Sequence, residues 1–295
     1  MKLIIQIPCY NEAATLPRTL DDLPRRVEGF DVVEWLVVND GSTDATEQVA
    51  RQCGVDHVVG FTANQGLARA FITGLHAAVR LGADVVVNTD ADNQYRGEDI
   101  PKLVGPILAD KADIVVGTRP IETIESFSGT KKLLQKLGSW VVRLLSNTDI
   151  PDAPSGFRAI SRDAALRLNV FNDYTYTLEM IIQAGQKNLA ITSVPVGINP
   201  ELRPSRLVKS IPSYVGRSIV TILRMFVLYR PFRFFMSTGL FVFLAGFLVG
   251  LRFLFYYLIG DGDGHIQSLI LASILLGVGF QTMLAAFLAD IIAVN

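Results

Sequence analysis

The sequence predicts an α/β protein with a doubly wound parallel sheet, followed by an interfacial amphipathic helix and two transmembrane helices. Apolar runs alternate with helical patterns over the first 120 residues, as in parallel sheets with crossover helices. Basic residues concentrate between 201 and 233, and two long apolar stretches follow them. With 295 residues the chain can hold one large domain and an appendage. We therefore divide it into residues 1–200, 201–233 and 234–295.

The predicted strands are apolar runs of the kind that is buried on both faces of a sheet, at 3–8, 32–38, 55–61, 85–89 and 113–117. Helical patterns lie between or after them, near 12–27, 43–53, 66–81 and 98–110. Ligands of such sheets bind beyond the carboxyl ends of the strands. This rule selects four polar segments, at 8–12, 39–44, 90–94 and 118–119.

The middle of the chain is less regular. Helices are predicted over 129–146 and 175–187, with a proline-containing loop at 149–158 and a strand at 189–196. A basic loop precedes a further helical pattern at 211–229, in which Arg217 and Arg224 share the polar face. An amphipathic helix with a basic face is typical of the membrane interface.

Two apolar stretches near the C-terminus predict transmembrane helices. Residues 234–259 contain Arg252 as their one charged residue, and residues 266–289 contain none. At about 1.5 Å per residue, each is long enough to cross a hydrocarbon core of roughly 30 Å. The alternative, a pair of buried core helices, is unusual at these lengths in a soluble fold. Small residues in both stretches would let the helices pack against each other or between protomers, so a homo-oligomer is one expectation.

Charge predicts the orientation of these spans. Residues 1–200 carry a net charge of −5, whereas residues 201–295 carry +4, and the loop between the spans has no Lys or Arg. The positive-inside rule then places residues 1–233 in the cytoplasm. The apolar run at 3–8 is too short for a signal peptide. Cys9 and Cys53 fit a reducing compartment and require no disulfide.

The segment "VVVNTDADNQY" (85–95) carries the sharpest chemical signal. Asp90 and Asp92 stand one residue apart at the end of a predicted strand, where two carboxylates repel each other unless a cation lies between them. Mg²⁺ is held in proteins by one or two carboxylates together with substrate phosphates. The alternatives are a calcium loop, which lacks the expected Gly and Glu here, and simple capping of the helix that follows.

A second polar loop, "VVNDGSTDAT" (37–46), offers Asp40 as an acceptor for the edge of a nucleobase. Its alternative role is a strand–turn–helix joint in which Ser42, Thr43 or Asp44 caps the next helix. Capping requires only one of the two acids, Asp40 or Asp44, and leaves the other available for a ligand.

The third loop, "IPCYNEAATL" (7–16), offers the ring of Tyr10 for stacking on a base and Glu12 as an acceptor for ribose or base. Its alternative role is a helix cap supplied by Asn11. No glycine-rich phosphate loop follows any predicted strand, which argues against dinucleotide oxidoreductases and P-loop kinases.

Taken together and in order, "IPCYNE", "VVNDGSTD", "NTDADNQY", "VVGTRP" and "SGFRAISRDA" resemble the family 2 glycosyltransferases, which have a GT-A fold. A basic segment and two apolar stretches after this domain resemble the polyprenyl-phosphate branch, the dolichyl-phosphate mannose synthase and bactoprenyl glucosyltransferase group. The resemblance covers nearly the whole chain.

The resemblance implies roles for matching residues. The nucleoside would be bound by Pro8, Tyr10, Glu12, Val38 and Asp40. The diphosphate and a Mg²⁺ or Mn²⁺ ion would be bound by Asp90, Ala91, Asp92 and Gln94, with Arg119 near the donor. The family's basic motif before the membrane is replaced here by "RPSRLVKS", where the acceptor-side roles fall to Arg203, Arg206 and Lys209.

The resemblance also implies the reaction, which is transfer of one sugar from GDP-mannose, UDP-glucose or UDP-N-acetylglucosamine to a polyprenyl phosphate, with inversion. Asp92, Arg203, Arg206 and Asp152 would be the catalytic set. Asp152 and Glu179 are the acids nearest the expected acceptor side, and each would orient groups rather than take a proton. No strong base is needed, because a phosphate monoester with a second pKa of about 6 is mostly dianionic at pH 7.

Three other functions stay open at this point. A processive polysaccharide synthase would carry a Q-x-x-R-W motif and more spans than this chain has. Transfer to a hydroxyl of another lipid, such as diacylglycerol, would need a true base. A non-enzymatic membrane scaffold would bind no nucleotide sugar. In all of these the lipid bilayer is a partner, and we expect no nucleic-acid partner.

Overall fold

The computed structural model describes residues 1–120, 143, 148–168, 176–200, 224, 227, 228, 230–260 and 263–294. The chain forms two compact units, Met1–Val215 and Gly216–Asn295. The division into 1–200, 201–233 and 234–295 stays a prediction, because most of residues 201–229 lie outside the described part.

The first unit is built on one seven-stranded sheet. Its strands are β1 (Lys2–Cys9), β2 (Val32–Asn39), β3 (His57–Gly60), β4 (Val85–Asn88), β5 (Ile114–Thr118), β6 (Arg158–Ser161) and β7 (Ile191–Pro195). Their order across the sheet is β3-β2-β1-β4-β6-β5-β7. The strands β1 to β4 are parallel, as predicted from the alternating pattern.

Helices cover both faces of this sheet. They are α1 (Leu16–Asp22), α2 (Thr46–Gln52), α3 (Leu67–Arg80), α4 (Ile100–Leu108), α5 (Arg162–Arg167) and α6 (Tyr176–Gln186). One core cluster joins the sheet to α1, α2 and α4, and a second joins it to α3, α5 and α6. Because β1, β2 and β4 are covered by helices on both faces, they are rich in Val, Ile and Leu.

The sheet is not wholly parallel, which corrects the expectation of a purely parallel arrangement. Strand β6 lies between β4 and β5 and runs antiparallel to both. No strand is predicted here from the sequence, because the four residues RAIS are too short for a periodic pattern and begin with a charged residue. Their neighbours in the sheet are more than 40 positions away, so no local signal sets their direction.

Most other predicted elements are present with shifted ends. The helix predicted over 12–27 is confined to Leu16–Asp22, and the one predicted over 98–110 begins as a short 3-10 turn, Gly97–Asp99, before α4. The helix predicted over 129–146 lies outside the described residues, apart from Arg143. The amphipathic helix predicted over 211–229 lies almost entirely outside them as well.

The second unit contains two long helices, α7 (Pro231–Leu258) and α8 (Ile266–Val294). Both are long and apolar enough to cross a membrane by length and composition. Glycines bring their backbones together: a Cβ on Gly246 would lie 2.7 Å from the Cβ of Leu275, and one on Gly279 would lie 2.5 Å from the backbone nitrogen of Phe243. The small residues thus pack the two helices of one chain against each other.

Candidate active site

Three of the predicted polar loops lie at one edge of the sheet. Strand β1 is followed by β2 and β3 on one side, and β4 lies on its other side, so the strand order reverses between β1 and β4. Cys9 is in register with Asn39, and Gln6 with Asn88. The loops that begin at Tyr10, Asp40 and Thr89 are therefore neighbours at the switch point, where ligands of such sheets bind.

The loops after β1 and β2 are tied to each other. The Asn11 N–H donates to the Ser42 hydroxyl at 2.9 Å, and the Asn11 side-chain oxygen accepts from the Thr43 N–H at 2.8 Å. The Glu12 N–H donates to the Thr46 hydroxyl at 2.8 Å. Asn11 adopts a left-handed φ of 55°, which Asn tolerates better than most residues. Its side chain joins two loops and does not cap α1, so the capping alternative for Asn11 is wrong.

Asp44 carries the helix-start role in the second loop. Its carboxylate accepts from the Thr46 N–H at 3.0 Å and from the Ala13 N–H at 3.2 Å, although the N-cap position itself is Ala45. Burial raises the pKa of Asp44, but the hydrogen bonds from Thr46 and Ala13 outweigh it and bring the pKa below its usual value. Asp44 is thus a structural carboxylate.

Asp40 is buried and organises the loop after β3. Its Oδ1 accepts from the Gln65 N–H at 2.7 Å, and its Oδ2 accepts from the Asn64 amide and the Gly66 N–H at 3.0 Å each. Burial raises the pKa of Asp40 despite the hydrogen bonds from Gln65 and Gly66. A carboxylate has roughly four lone-pair sites, so one on Oδ1 is still free for a ligand. Contact of Asp40 with a nucleobase stays a prediction.

The other residues predicted to bind the nucleoside differ in their exposure to solvent. Tyr10 exposes 42% of its surface, and stacking of its ring on a base stays a prediction. Glu12 is buried and accepts from the Thr15 hydroxyl at 2.6 Å. The side chains of Pro8 and Val38 are buried and in register across β1 and β2, so any contact from Val38 to a nucleoside would come from its main chain.

The second loop requires a glycine at position 41, both for its backbone conformation and for a close contact. The φ of Gly41 is +66°, and a Cβ at this position would lie 2.3 Å from the carbonyl carbon of Ala63. We expect Gly41→Ala to destabilise the protein by at least about 2 kcal/mol, since left-handed strain alone costs about 1–2 kcal/mol and the overlap adds to it. Thermal unfolding of the purified variant measures this loss.

Gly82→Ala is the matched control for Gly41→Ala. Gly82 also has a positive φ, +84°, but has no atom within 4 Å of the added Cβ. It therefore reports conformational strain without overlap. An equal drop in melting temperature for both variants would contradict the role assigned to the contact with Ala63.

The D-x-D turn after β4 is held in place by its surroundings. The Thr19 hydroxyl donates to the Ala91 carbonyl at 2.9 Å, and the Asn199 N–H donates to the Gln94 carbonyl at 2.9 Å. Asp92 accepts from the Gln94 N–H at 3.2 Å. Helix α4 begins after Asp99, so the D-x-D carboxylates do not cap it, which removes the capping alternative for this motif.

The two carboxylates of this turn influence each other. Burial, together with the charge of Asp92, raises the pKa of Asp90 to about 7, although Arg119 and Arg158 partly oppose this shift. A divalent cation between the two groups would keep both ionised. Carboxylate and amide oxygens from Asp90, Asp92 and Gln94 are ligand types that Mg²⁺ and Mn²⁺ prefer, so the residues fit such an ion.

Within the described part of the chain, no three His, Cys, Asp or Glu side chains form a ready-made metal cage. Two carboxylates would leave several coordination positions of a hard divalent ion to water and to the ligand's phosphates. The D-x-D turn is therefore suited to an ion that arrives with a phosphorylated ligand.

Arg119 and Asp152 form a buried ion pair beside this turn. Arg119 Nε and Nη2 contact the two carboxylate oxygens of Asp152 at 2.8 and 3.0 Å, and the Arg119 N–H also donates to Asp152. The two side chains expose 9% and 1% of their surface. Burial alone would lower the pKa of Arg119, but Tyr95, Asp152 and Asp90 raise it above its usual value. Asp152 thus fixes the orientation of Arg119, and its role toward the acceptor stays a prediction.

Glu179, the second acid predicted near the acceptor, is fully buried in α6 and accepts from the Gln183 amide at 3.3 Å. The three basic residues predicted on the acceptor side, Arg203, Arg206 and Lys209, lie outside the described residues. Their roles stay predictions.

Arg158 has no role predicted from the sequence, yet it lies close enough to Asp90 for its charge to affect the pKa of that carboxyl. It is fully buried, and its guanidinium donates to the backbone carbonyls of Ala153, Ser155 and Thr177 at 2.6, 2.8 and 2.8 Å. Burial lowers the pKa of Arg158 to about 10. Its signal in the sequence is a single charge between apolar neighbours in "GFRAI", which alone does not tell a buried arginine from an exposed one.

Comparison with known proteins agrees with this geometry. Residues 4–168 match the family described as "Glycosyl transferase family 2". The chain is 30% identical over 235 residues to an undecaprenyl-phosphate mannosyltransferase of Micrococcus luteus, covering 76% of this chain and 93% of that protein. It is also 30% identical over 215 residues to a UDP-N-acetylglucosamine–dolichyl-phosphate N-acetylglucosaminyltransferase of Methanococcus voltae, covering 64% and 82%.

Solved structures give the same fold. Glucosyl-3-phosphoglycerate synthase of Mycobacterium tuberculosis, crystallised with Mn²⁺, UDP-glucose and phosphoglyceric acid, superposes with a TM-score of 0.61 at 24% identity. The match covers 76% of this chain and 79% of that one. The predicted GT-A fold is thereby confirmed, with the antiparallel β6 as part of it. From the sequence match and the sheet together, the chain belongs to glycosyl transferase family 2 and is an enzyme of that family.

Proposed function

We propose that this enzyme transfers a single sugar from a nucleotide diphosphosugar to a polyprenyl phosphate at a membrane surface, with inversion and with Mg²⁺ or Mn²⁺. The observation that carries the proposal is the closeness of the D-x-D turn to the buried Arg119–Asp152 pair, since the charge of Arg119 acts on Asp90. The named relatives that act on undecaprenyl and dolichyl phosphates support the choice of acceptor.

The donor half of the proposed site uses residues that the structure describes. Tyr10, Asp40 and Glu12 would contact the nucleoside, while Asp90, Asp92 and Gln94 would hold the metal. A divalent cation bound there would offset the charge that develops on the nucleoside diphosphate leaving group. Arg119, fixed by Asp152, is a permanent cation with a set orientation, and such a group stabilises a phosphate without having to reorganise during the reaction.

The proposal for the acceptor half is based on the basic residues before the first apolar helix and on the two apolar helices themselves. Arg203, Arg206 and Lys209 would bind the phosphate of the lipid, and α7 and α8 would hold the enzyme in the bilayer as a two-span anchor. By the positive-inside rule, the first unit would then lie in the cytoplasm. The acceptor phosphate would attack the anomeric carbon directly, because it is already mostly dianionic at pH 7. A single attack of this kind inverts the configuration.

The deciding experiment is a donor and acceptor screen on the full-length protein in lipid nanodiscs. Undecaprenyl phosphate, dolichyl phosphate and diacylglycerol are each combined with GDP-mannose, UDP-glucose or UDP-N-acetylglucosamine. Mg²⁺ or Mn²⁺ is supplied, and lipids are analysed by mass spectrometry. We expect one glycosyl phosphate lipid with one donor, and loss of product when EDTA removes the metal.

Other outcomes of the screen discriminate the remaining functions. Glycosylated diacylglycerol as the product would replace the acceptor in our proposal and would require a catalytic base. Undiminished product formation in EDTA would contradict the metal role of the D-x-D turn. A protein that neither binds nor turns over any donor would contradict the proposed activity as a whole.

A further inference from the structure

The Asp90 carboxylate rests directly against the α-carbon of Gly156. A Cβ placed on Gly156 would lie 2.9 and 3.0 Å from the two carboxylate oxygens of Asp90, and 3.2 Å from the hydroxyl oxygen of Tyr176. Separations this short force one of the two groups to shift. The space that a side chain at position 156 would fill is thus the space that the carboxylate uses.

The backbone at Gly156 cannot readily yield, because hydrogen bonds hold both of its polar groups. Its N–H donates to the Tyr95 hydroxyl at 3.1 Å, and its carbonyl accepts from the Asn88 amide at 2.8 Å. The Tyr95 ring stacks on Phe157 with ring centroids 4.9 Å apart. Asn88 is fixed in turn by the Gln6 amide, which donates to its oxygen at 2.9 Å. An added methyl group would therefore move the Asp90 carboxylate rather than the backbone.

Gly156 is not kept as glycine by its backbone conformation, because its φ lies outside the positive range in which glycine is favoured. Alanine is therefore conformationally allowed there. Metal ligation is less tolerant than folding, since ligand distances hold to within about 0.2 Å of their preferred values. A displacement of a few tenths of an ångström would leave the fold intact and disturb the ligand.

We propose that Gly156 is a positioning residue for the metal site. Its α-carbon carries no side chain and is held in place by the hydrogen bonds to Tyr95 and Asn88. The Asp90 carboxylate packs against it and is thereby oriented toward the cation. This inference rests on the proposed function, in which Asp90 is a metal ligand. It extends the site from the D-x-D turn to the loop that leads into β6 (Arg158–Ser161).

The test is a Mn²⁺ titration of the detergent-solubilised full-length protein with UDP or GDP present, followed by electron paramagnetic resonance of the free ion. We expect Gly156→Ala to lower Mn²⁺ affinity by about 10-fold or more, the usual scale for disturbing groups that orient a ligand. Excess Mn²⁺ should restore much of the turnover. Gly105→Ala is the matched control: it lies in α4 with no atom within 4 Å of the added Cβ, and it should bind Mn²⁺ like the wild-type chain.

A second variant decides the matter if Gly156→Ala does not fold. Tyr95→Phe adds no atom and removes the hydroxyl that accepts from the Gly156 N–H, so the backbone beside Asp90 loses one of its two hydrogen bonds. We expect Mn²⁺ affinity to fall by about 3-fold or more. Wild-type affinity in a folded Gly156→Ala variant, or in Tyr95→Phe where that variant does not fold, would overturn the inference alone. A wild-type chain that binds no Mn²⁺ with any nucleotide would overturn the proposed function as well.

Discussion

Asp92→Asn is expected to reduce turnover by about 1,000-fold or more, because it removes one of two carboxylates from the proposed metal site, where charge stabilisation by the ion would be worth several kcal/mol. Asparagine keeps a side-chain oxygen that can accept from the Gln94 N–H, so the turn itself should survive. The measurement is the steady-state rate of glycolipid formation at saturating donor and Mn²⁺. Nucleotide affinity without metal should change little.

Asp163→Asn is the control for this substitution. Asp163 is an exposed carboxylate on α5 that pairs with Arg167 at 3.4 Å, and exposed pairs of this kind contribute little to stability. We expect it to keep wild-type turnover. If Asp92→Asn also keeps wild-type turnover in the presence of metal, the ligand role of Asp92 is wrong.

Asp152→Ala is expected to have the largest effect on stability. It leaves the Arg119 guanidinium buried without its carboxylate, and breaking a buried pair in this way costs about 3–5 kcal/mol. For a folded unit of this size, that loss lowers the melting temperature by about 6–20 °C. Activity should fall too, because Arg119 loses the bidentate contact that orients it.

The double variant Arg119→Met/Asp152→Leu separates the two effects. Removing both charges takes away the unpaired ion, and apolar replacements of buried pairs are often neutral or stabilising. We expect the melting temperature to recover most of its loss while turnover stays low. A double variant with wild-type turnover would show that Arg119 has no part in donor binding.

The expected order of the two single variants is itself informative. Asp92 lies in a turn that is partly open to solvent, whereas Asp152 is 1% exposed. Asp92→Asn should therefore abolish activity with little change in melting temperature, and Asp152→Ala should lower both. The contrast distinguishes a residue that would bind the metal, Asp92, from a residue that positions another side chain, Asp152.

Several features of this protein were determined by the sequence alone. The apolar runs that became β1, β2 and β4 are buried on both faces, so composition marks them without knowledge of their partners. The rule that ligands bind at the carboxyl ends of parallel strands then placed Tyr10, Asp40 and Asp90 at one edge. The two long apolar helices also followed from length and composition, because their pattern is contained in a single continuous segment.

Other features were decided by the tertiary structure. The antiparallel β6, the pairing of Asp152 with Arg119 and the contact of Asp90 with Gly156 join residues that are 33 or more positions apart in the chain. Asp40 looked free in the sequence, yet it accepts three hydrogen bonds from the loop after β3. Local patterns report which residues are apolar and which can bear charge. The pairing of a charged side chain with a particular backbone group or charge depends on contacts between distant segments. Those segments come together only when the sheet folds.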